Sequence, residues 1–365
     1  MKVLSLFDGI ACGRVALERA GIPVETYYAS EIDKYAIQVA QKNYPDIIQI
    51  GDINTVHFTD FIGVDLIIGG SPCQDLSIAK QNREGLRGAR SGLFWRFVDA
   101  LAIIRPKYFL LENVASMRNE DRDAITETLR KLYPETECIM INSALLSAQQ
   151  RKRYYWTNWH VEQPQDKGIL LKDVLESGLP YLEKSQSLTA SYDGAVFWNS
   201  IQKKQRTMVA MPVGCRIVGR KTDENGVRHD DWDIPTQQRV EINENPQKAN
   251  CVSTVSKDSM IAEPVRIGEL DGLGKGQANR IYSVRGKSVC LNANGGGGGA
   301  KTGLYKVDLP DGDYIVRKLT PVECERLQTL PDNYTAGVSN TQRYKAIGNG
   351  WTADVIAHIL KGIKE

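Results

Sequence analysis

The first 160 residues of this 365-residue chain predict an open α/β fold, a doubly wound and mostly parallel sheet with helices on both faces. Three observations lead to this prediction. Short β-like runs alternate with helical ones. The strand candidates are nearly continuous apolar runs, as a sheet buried on both faces requires. Glycine-rich and polar segments follow several of these runs, at the edge where such sheets bind ligands.

The alternation can be followed element by element. Lys2–Phe7 predicts a buried strand, and Cys12–Ala20 predicts a helix that Gly21 ends. The further strands expected are 25–30, 47–50, 64–68, 108–111, 137–142 and 154–157, and the further helices are 34–43, 92–104 and 122–132.

The alternation of strand and helix candidates ends near residue 160. Residues 161–318 are rich in Gly, Ser, Asn and Gln and show short β-like pieces at 215–218, 281–284 and 314–316. Order returns at Thr320, where the segment Thr-Pro-Val-Glu predicts a capping box and a helix through about Leu330. We therefore predict a catalytic domain of residues 1–160 completed by 340–365, with a final helix at 352–360, and a second, smaller β-rich domain of residues 161–339.

Composition limits the classes of protein to consider. The chain is 42% hydrophobic and 25% charged, as in soluble globular proteins. No apolar run is long enough for a bilayer span, and the N-terminal run is too short for a signal peptide. We expect a cytoplasmic, nucleoid-associated protein without a membrane partner, as a monomer, with a dimer as the alternative. None of its 7 cysteines forms a Cys-x-x-Cys pair and its 4 histidines are scattered, so we expect free thiols and no metal.

Basic residues are concentrated although the net charge is only +2. Residues 275–306 contain six Lys or Arg and no acidic residue, and 203–221 again contain no acid. Such stretches can neutralise phosphates, although a solvated surface explains them equally well when they are taken alone.

The segment Phe7–Gly13 has the pattern of a cofactor loop. A strand enters a glycine turn and then a helix, whose free N–H groups suit a nucleotide-like ligand. Glu31, ending the second strand, can accept from ribose hydroxyls, and Asp52, ending the third, from an adenine amine; each can also be a helix cap or a loop residue. Because no phosphate-binding Gly-x-x-x-x-Gly-Lys loop is present, a cofactor without phosphate such as S-adenosylmethionine fits best.

Three further clusters follow strand candidates. Gly69–Ser77 displays Cys73 on a Gly/Pro loop, which favours a nucleophile over the commoner buried structural cysteine. Glu112 and Asn113 follow an apolar strand, where the carboxyl is partly desolvated and the alternative is a helix cap. In Gln149–Trp156, alternation points Arg151 and Arg153 to the same side, toward a base and a phosphate, unless this is a charged edge strand.

In this order, the clusters closely resemble the DNA cytosine-5 methyltransferase family. Phe7–Gly13 is similar to its cofactor loop, Pro72-Cys73-Gln74 to its nucleophile motif and Glu112-Asn113-Val114 to its base-activating motif. Gln149–Arg153 matches its Gln-x-Arg-x-Arg, and Gln342–Trp351 resembles the last motif, which completes the cofactor pocket. The resemblance covers the chain except for roughly 161–318.

Two branches of that family are represented. The first half is especially similar to the animal de novo methyltransferases, and Asp75, where many bacterial relatives carry a small or apolar residue, agrees with that branch. Gln277–Tyr305 resembles target-recognition regions of bacterial and phage enzymes, so we expect a prokaryotic or phage origin and a target-recognition role for residues 161–339.

The resemblance implies a Rossmann-like methyltransferase of duplex DNA, associated with restriction-modification, that flips a cytosine out of the helix and forms a covalent Cys73 adduct. The catalytic residues it implies are Cys73, Glu112, Asn113, Arg151 and Arg153. Those implied for S-adenosylmethionine are Phe7, Asp8, Gly9, Ile10, Gly13, Glu31, Ile32, Asp52, Ile53, Pro72, Asn349, Gly350 and Trp351. Those implied for DNA are Gln74, Ser77, Lys80, Arg83, Arg87, Arg90, Gln149, Arg280 and Arg285.

Two alternatives stay open at this point. One is a transfer-RNA cytosine-5 methyltransferase, which uses the same Pro-Cys-Gln chemistry. The other is a catalytically silent DNA-binding regulator, which the presence of Cys73, Glu112 and Arg153 disfavours.

Overall fold

In the computed structural model of the protein, the chain is described over residues 1–71, 92–180, 182–195, 200, 203–211, 213–221, 236–242, 260–262, 305–309 and 312–363. It divides into two compact units. The first unit comprises Met1–Val174, Glu183–Gly194 and Thr320–Glu365, and the second comprises Leu175–Leu182 and Ala195–Leu319.

The first unit is built on one seven-stranded sheet with the order β3-β2-β1-β4-β5-β7-β6. All neighbouring strands are parallel except β7, which runs antiparallel to both β5 and β6. The strands are β1 Lys2–Leu6, β2 Thr26–Ser30, β3 Ile48–Gln49, β4 Leu66–Gly70, β5 Tyr108–Val114, β6 Glu137–Asn142 and β7 Lys152–Thr157. The helices are α1 Cys12–Ala20, α2 Lys34–Asn43, α3 Gly92–Ile104, α4 Asn119–Leu132, α5 Pro321–Leu327, α6 Asn340–Asn349 and α7 Ala353–Leu360.

Alternate residues of each central strand bury opposite faces of the sheet. Val3 and Leu66 belong to the core that packs on α1 and α7, while Leu4 and Ile67 belong to the core that packs on α3 and α4. All four side chains are fully buried. Two covered faces explain why the central strands are almost continuously apolar, and the predicted open, mostly parallel α/β sheet is confirmed.

The strand order reverses between β1 and β4, since the chain winds outward from β1 through β2 to β3 and then returns to β4. Open α/β sheets bind ligands outside the carboxyl ends of the strands at such a reversal. The segments that follow β1, β2, β4 and β5 therefore meet where a ligand is expected.

The boundaries of several elements match their predicted positions. The helices at Cys12–Ala20, Lys34–Asn43 and Gly92–Ile104 have the predicted bounds, and Gly21 ends α1 with φ +75°. The capping box is also confirmed: the Thr320 side chain accepts from the Glu323 backbone N–H, and the Thr320 N–H donates to the Glu323 carboxylate.

Other boundaries differ from the predicted ones. The strand predicted to end at Leu111 continues to Val114, so Glu112 and Asn113 lie within β5 rather than after it. The helix predicted from Arg122 begins at Asn119, and the helix predicted through Leu330 ends at Leu327.

The second unit is described mainly as antiparallel strands in two sheets, with the orders β11-β10-β12 and β13-β14-β9-β8. The β-like pieces predicted at 215–218 and 314–316 lie in β10 and β14, whereas the piece at 281–284 lies outside the described residues. The strands are β8 Leu179–Pro180, β9 Met208–Met211, β10 Val213–Lys221, β11 Thr236–Ile242, β12 Met260–Ala262, β13 Tyr305–Leu309 and β14 Gly312–Lys318.

Candidate functional site

The loop after β1 is a tight turn with an unusual backbone. Phe7, Gly9 and Ala11 all adopt positive φ, at 61°, 62° and 60°. For the two residues that are not glycine this conformation costs about 1–2 kcal/mol each. Such strain persists only where the surroundings enforce it, and it is concentrated at ligand-binding turns.

Glu31, at the end of β2, holds this loop in place. Its carboxylate accepts hydrogen bonds from the backbone N–H groups of Gly9, Ile32 and Asp33 at 2.8, 2.7 and 2.8 Å. Because a carboxylate offers about four acceptor positions, roughly one remains. Glu31 thus has room for one further donor beside its structural role.

Asp8 is buried and only half satisfied. One carboxylate oxygen, Oδ1, accepts from the Tyr27 hydroxyl at 2.7 Å, while Oδ2 is buried without a hydrogen-bond partner in the described part of the chain. Burial raises the pKa of Asp8 to about 6, the nearby hydroxyls of Ser5 and Tyr27 oppose that rise, and the Glu31 charge adds to it. A buried acceptor without a donor is costly, so Oδ2 is a candidate contact for a ligand.

The ends of β2 and β3 supply an apolar and a polar group. Ile32 is 75% exposed directly after Glu31, which leaves an apolar surface beside the loop. Asp52 caps the short 3₁₀ turn Ile53–Thr55 by accepting from the Asn54 N–H at 2.9 Å, and Ile53 is buried. Asp52 therefore acts as a helix cap, which was the alternative interpretation of the sequence. It is also exposed at the edge of the sheet.

At the end of β5, Glu112 is paired on both oxygens. Arg153 Nε lies 2.8 Å from Oε1, and the Trp351 indole N–H donates to Oε2 at 3.2 Å. β5 and β7 bring the acid and the arginine together because Glu112 pairs with Tyr155 in the ladder, two residues from Arg153. Glu112 is only 8% exposed, so this ion pair is largely shielded from water.

Asn113 anchors the start of the segment that contains Cys73. Its side-chain amide donates to the Ser71 hydroxyl at 3.2 Å, and its carbonyl oxygen accepts from the Val114 N–H at 2.8 Å. Both Asn113 and Ser71 are buried. Since Ser71 is two residues before Cys73, this bond fixes the base of the predicted nucleophile loop.

Arg151 does not have the surroundings that the alternating pattern suggested, and Gln149 does not have those that the family resemblance suggested. Arg151 is buried and its guanidinium donates to three backbone carbonyls, those of Leu188, Gly348 and Gly350, at 2.8, 3.3 and 3.0 Å. Burial, together with the nearby Arg153 charge, lowers the pKa of Arg151 to about 10.

The Gln149 side chain is also fully buried, and it bonds to the Leu327 carbonyl and the Leu188 N–H at 3.1 and 2.8 Å. The chain around residues 327 and 348–350 covers these two side chains. Their hydrogen bonds to its backbone carbonyls hold that chain in place.

The segment Gly348–Trp351 closes the site, and its glycines are required by close contacts. A Cβ on Gly348 would stand 2.2 Å from the Thr189 backbone, and one on Gly350 would stand 3.1 Å from Cys12 Sγ. A Cβ on Gly13 would meet Ile68 at 2.4 Å and Trp351 at 3.5 Å, so the cofactor loop and the last motif lie against each other.

Two residues of this region were not predicted. Tyr27 satisfies Asp8, and Gln328 donates from its amide to the carbonyls of Ile347 and Gly350 at 2.9 and 3.3 Å while accepting from Thr352. The strand alternation of β2 points Tyr27 inward and gives a hint of its role. Nothing in the local sequence marks Gln328, because its partners lie about twenty residues away.

Several predicted site residues cannot be placed. They lie outside the described residues and comprise Pro72, Cys73, Gln74, Ser77, Lys80, Arg83, Arg87, Arg90, Arg280 and Arg285.

Within the described ranges, no three His, Cys, Asp or Glu side chains are grouped so that they could hold a metal ion. In that same part of the chain no helix has the length and apolarity that a membrane crossing needs.

The fold and the carboxylates at its strand ends define the class: the sheet is that of the S-adenosylmethionine-dependent methyltransferase fold. A solved structure of the methyltransferase EhMeth from Entamoeba histolytica shares this fold, with a TM-score of 0.59 and 14% identity over 99% of this chain and 97% of that one.

Two relatives are similar in sequence over nearly the whole chain. The type II methyltransferase M.HhaI of Haemophilus parahaemolyticus is 28% identical over 100% of this chain and 94% of the M.HhaI chain. The orphan methyltransferase M.SPRI of Bacillus phage SPR is 24% identical over 99% and 97%. The family model of C-5 cytosine-specific DNA methylases matches residues 1–365, and the chain belongs to that family.

Proposed function

We propose that this protein is a DNA (cytosine-5)-methyltransferase that transfers a methyl group from S-adenosylmethionine to C5 of a cytosine flipped out of a specific duplex site, through a covalent bond between Cys73 and C6. The main support within the structure is the Glu112–Arg153 pair, 2.8 Å apart, beside the Asn113–Ser71 bond that anchors the Cys73 loop. Family membership supplies the substrate class.

The chemistry needs a nucleophile and a partner for the ring. Cytosine C5 is a weak nucleophile, and addition of the Cys73 thiolate at C6 makes the ring an enamine with an electron-rich C5. Glu112, after taking a proton from solvent, donates it in a hydrogen bond to N3, and Arg153 donates to O2, so that the negative charge pushed into the ring is stabilised. C5 then takes the methyl group as the bond from that carbon to the sulfonium sulfur breaks, which leaves a neutral thioether. The C5 proton is lost to solvent and the Cys73–C6 bond breaks, so that the aromatic ring and the thiolate are restored.

Asn113, Arg151 and Gln149 are assigned supporting roles. Asn113 holds Ser71 and thereby the loop that carries the thiol. Arg151 and Gln149 donate from buried positions to backbone carbonyls of the segments around Gly350 and Leu327. These contacts support positioning rather than direct contact with the base.

The observed groups fit S-adenosylmethionine, which when bound supplies an electrophilic methyl on a sulfonium. The unpartnered Oδ2 of Asp8 is an acceptor suited to its ammonium group, and the remaining acceptor position of Glu31 suits a ribose hydroxyl. Ile32 offers an exposed apolar surface and Asp52 an exposed carboxylate for the adenine. The other residues we propose for this pocket are Phe7, Gly9, Ile10, Gly13, Ile53, Pro72, Asn349, Gly350 and Trp351.

Duplex DNA is the proposed partner. C5 and C6 are inaccessible in a stacked base pair, so the cytosine must leave the helix at a cost of a few kcal/mol. Basic residues of 77–90 are proposed to bind phosphates, and the basic stretch 275–306 of the predicted target-recognition domain is proposed to read bases in the major groove.

One assay tests the proposal. Purified protein with labelled S-adenosylmethionine is incubated with duplex DNA and, separately, with transfer RNA. Label is expected in DNA, and bisulfite sequencing of DNA from expressing cells is expected to show modified cytosines in one sequence context. Label in transfer RNA alone, or in neither nucleic acid, would refute the assignment.

A further inference from the structure

We infer that Trp351 is a positioning residue for the base-activating carboxyl, in addition to its expected place in the cofactor pocket. Its indole N–H donates to Glu112 Oε2 at 3.2 Å, on the oxygen opposite the one that Arg153 holds at 2.8 Å. A carboxyl held on both oxygens has lost its rotational freedom before substrate arrives. The inference rests on the proposed function, because it concerns how Glu112 is presented to the cytosine.

Gly70 makes this contact possible. It lies at the end of β4, directly opposite Glu112 in the parallel ladder. A Cβ at this position would stand 2.8 Å from the Trp351 indole nitrogen and 2.9 Å from Glu112 Oε2, closer than real Cβ contacts come. The absence of a side chain at Gly70 therefore leaves the space in which the indole and the carboxyl meet.

The backbone next to the indole is also held by hydrogen bonds. The carbonyl of Gly350, the residue before Trp351, accepts from Arg151 at 3.0 Å and from Gln328 at 3.3 Å. Both donor side chains are buried, Arg151 beside β7 and Gln328 at the end of α5. Because the preceding carbonyl is held by two donors, the indole reaches Glu112 from a fixed backbone.

One indole thus touches two functional parts of the site. Its ring approaches the Gly13 position of the cofactor loop, and its N–H holds the carboxyl that acts on the base. Catalytic hydrogen bonds lose much of their value when their donors and acceptors are misaligned by about 0.5 Å or more. Loss of the N–H should therefore slow methyl transfer more than it weakens cofactor binding.

Trp351→Phe keeps an aromatic ring and removes the N–H donor. With saturating cofactor and DNA, the single-turnover rate of methyl transfer is expected to fall about tenfold, the size of one hydrogen bond to a charged group. The dissociation constant for S-adenosylmethionine, from equilibrium dialysis, is expected to change less than about threefold. The matched control is Trp159→Phe, whose indole donates to the Ile359 carbonyl away from Glu112, and it should retain the wild-type rate.

Gly70→Ala removes the contact while keeping the N–H. It is expected to slow transfer by at least a similar factor, because the added methyl group also crowds the Glu112 carboxylate. In the Trp351→Phe background the further loss from Gly70→Ala should be smaller than in the wild-type protein, since part of both losses is the same indole–carboxyl contact. A Trp351→Phe rate within twofold of wild type, a loss confined to cofactor affinity, or additive losses in the double variant would each overturn the inference. An inactive wild-type protein would instead refute the proposed function.

If neither variant folds, the contact can be read in the otherwise unchanged protein. Glu112→Gln is expected to shift one of the six indole N–H resonances in the ¹H–¹⁵N spectrum, because it replaces a charged acceptor by a neutral one. Six unshifted indole resonances would contradict the hydrogen bond.

Discussion

The two strand ends that form the site satisfy their carboxyls in opposite ways. At the β1–β2 end, Asp8 and Glu31 meet a hydroxyl and backbone N–H groups, and one oxygen of Asp8 stays unpartnered. At the β5–β7 end, Glu112 has a donor on each oxygen, an arginine and an indole. The β1–β2 end therefore lacks one donor that a ligand could supply, whereas at the β5–β7 end both oxygens of Glu112 already have donors.

This difference matches two different tasks. A pocket that binds a small ligand gains affinity when the ligand supplies a missing donor. A centre that stabilises developing charge gains rate when its groups need no rearrangement. We therefore expect changes at the β5–β7 end to affect rate, and changes at the β1–β2 end to affect stability and cofactor binding.

The largest effect is expected at Cys73, whose proposed reaction with cytosine depends on the groups at the β5–β7 end. Cys73→Ser replaces the thiolate by a hydroxyl that is not ionised at neutral pH, so methyl transfer should fall by at least about 1,000-fold. DNA binding, measured by fluorescence anisotropy, should survive because the side chains are nearly isosteric. Turnover within tenfold of wild type with labelled cofactor would rule out Cys73 as nucleophile. Cys138, in β6, is the control, since burial raises the pKa of its thiol to about 11 and Cys138→Ser should remain active.

The second-largest effect is expected at Glu112. Glu112→Gln keeps the size of the side chain but removes the carboxyl that pairs with Arg153 when ionised and that can carry a proton to N3 when protonated. The rate should fall about 100-fold or more, as for removal of a general acid. Glu120→Gln, at the start of α4, is a control on an acid in the helix that follows. A Glu112→Gln enzyme within fivefold of wild type would show that the β5–β7 end does not act on the base.

Sequence patterns predicted most of the helices and strands of the first unit, and the reason is physical. A parallel strand buried on both faces is almost continuously apolar, and helices such as α1 and α2 carry their own stop signals at Gly21 and Tyr44. The helix α6 was missed because Asn340–Asn349 is mostly polar and has three buried residues. Local pattern predicts an element only when the element's own residues carry the apolar face.

The sequence predicted which residues belong to the site better than it predicted the contacts that they make. Glu112 and Arg153 were named from their positions at strand ends, and the structure brings them to 2.8 Å. Arg151 was expected to face substrate because strand alternation places it beside Arg153. Alternation gives the side of the sheet but not what covers it, and here the carbonyls of Gly348 and Gly350 cover Arg151.

At the β1–β2 end the expected effect is on stability. The pKa of Asp8 is raised to about 6 by burial, above the value near 4 of an unfolded aspartate. Between those pH values the folded state binds the proton more tightly, so stability falls as pH rises from about 4 to 6, and the penalty is complete above 6. Asp8→Asn removes it and should stabilise the protein at pH 7.5 by up to about 3 kcal/mol.

The measurement is the urea midpoint of wild type and Asp8→Asn between pH 4 and 8. The gain should be small near pH 4 and largest above pH 6. Asp46→Asn is the control, because the Asp46 carboxylate is exposed and its pair with Arg14 at 3.6 Å should contribute little at any pH. Equal gains at pH 4 and pH 7.5 would show that the buried charge of Asp8 is not the cause.

The smallest effect is expected far from both strand ends in sequence, at Arg280, which lies outside the described residues. It belongs to a stretch with six basic and no acidic residues, so its proposed partner is DNA rather than cofactor or the reacting base. Arg280→Ala should lower discrimination between the preferred site and its one-base variants by about 1–3 kcal/mol. The single-turnover rate on the preferred site, with DNA saturating, should stay within about twofold, because neither strand end has changed. Competition between duplexes measures the first quantity and rapid quench the second. An equal loss on every duplex would make Arg280 a phosphate contact, since phosphates carry no sequence information.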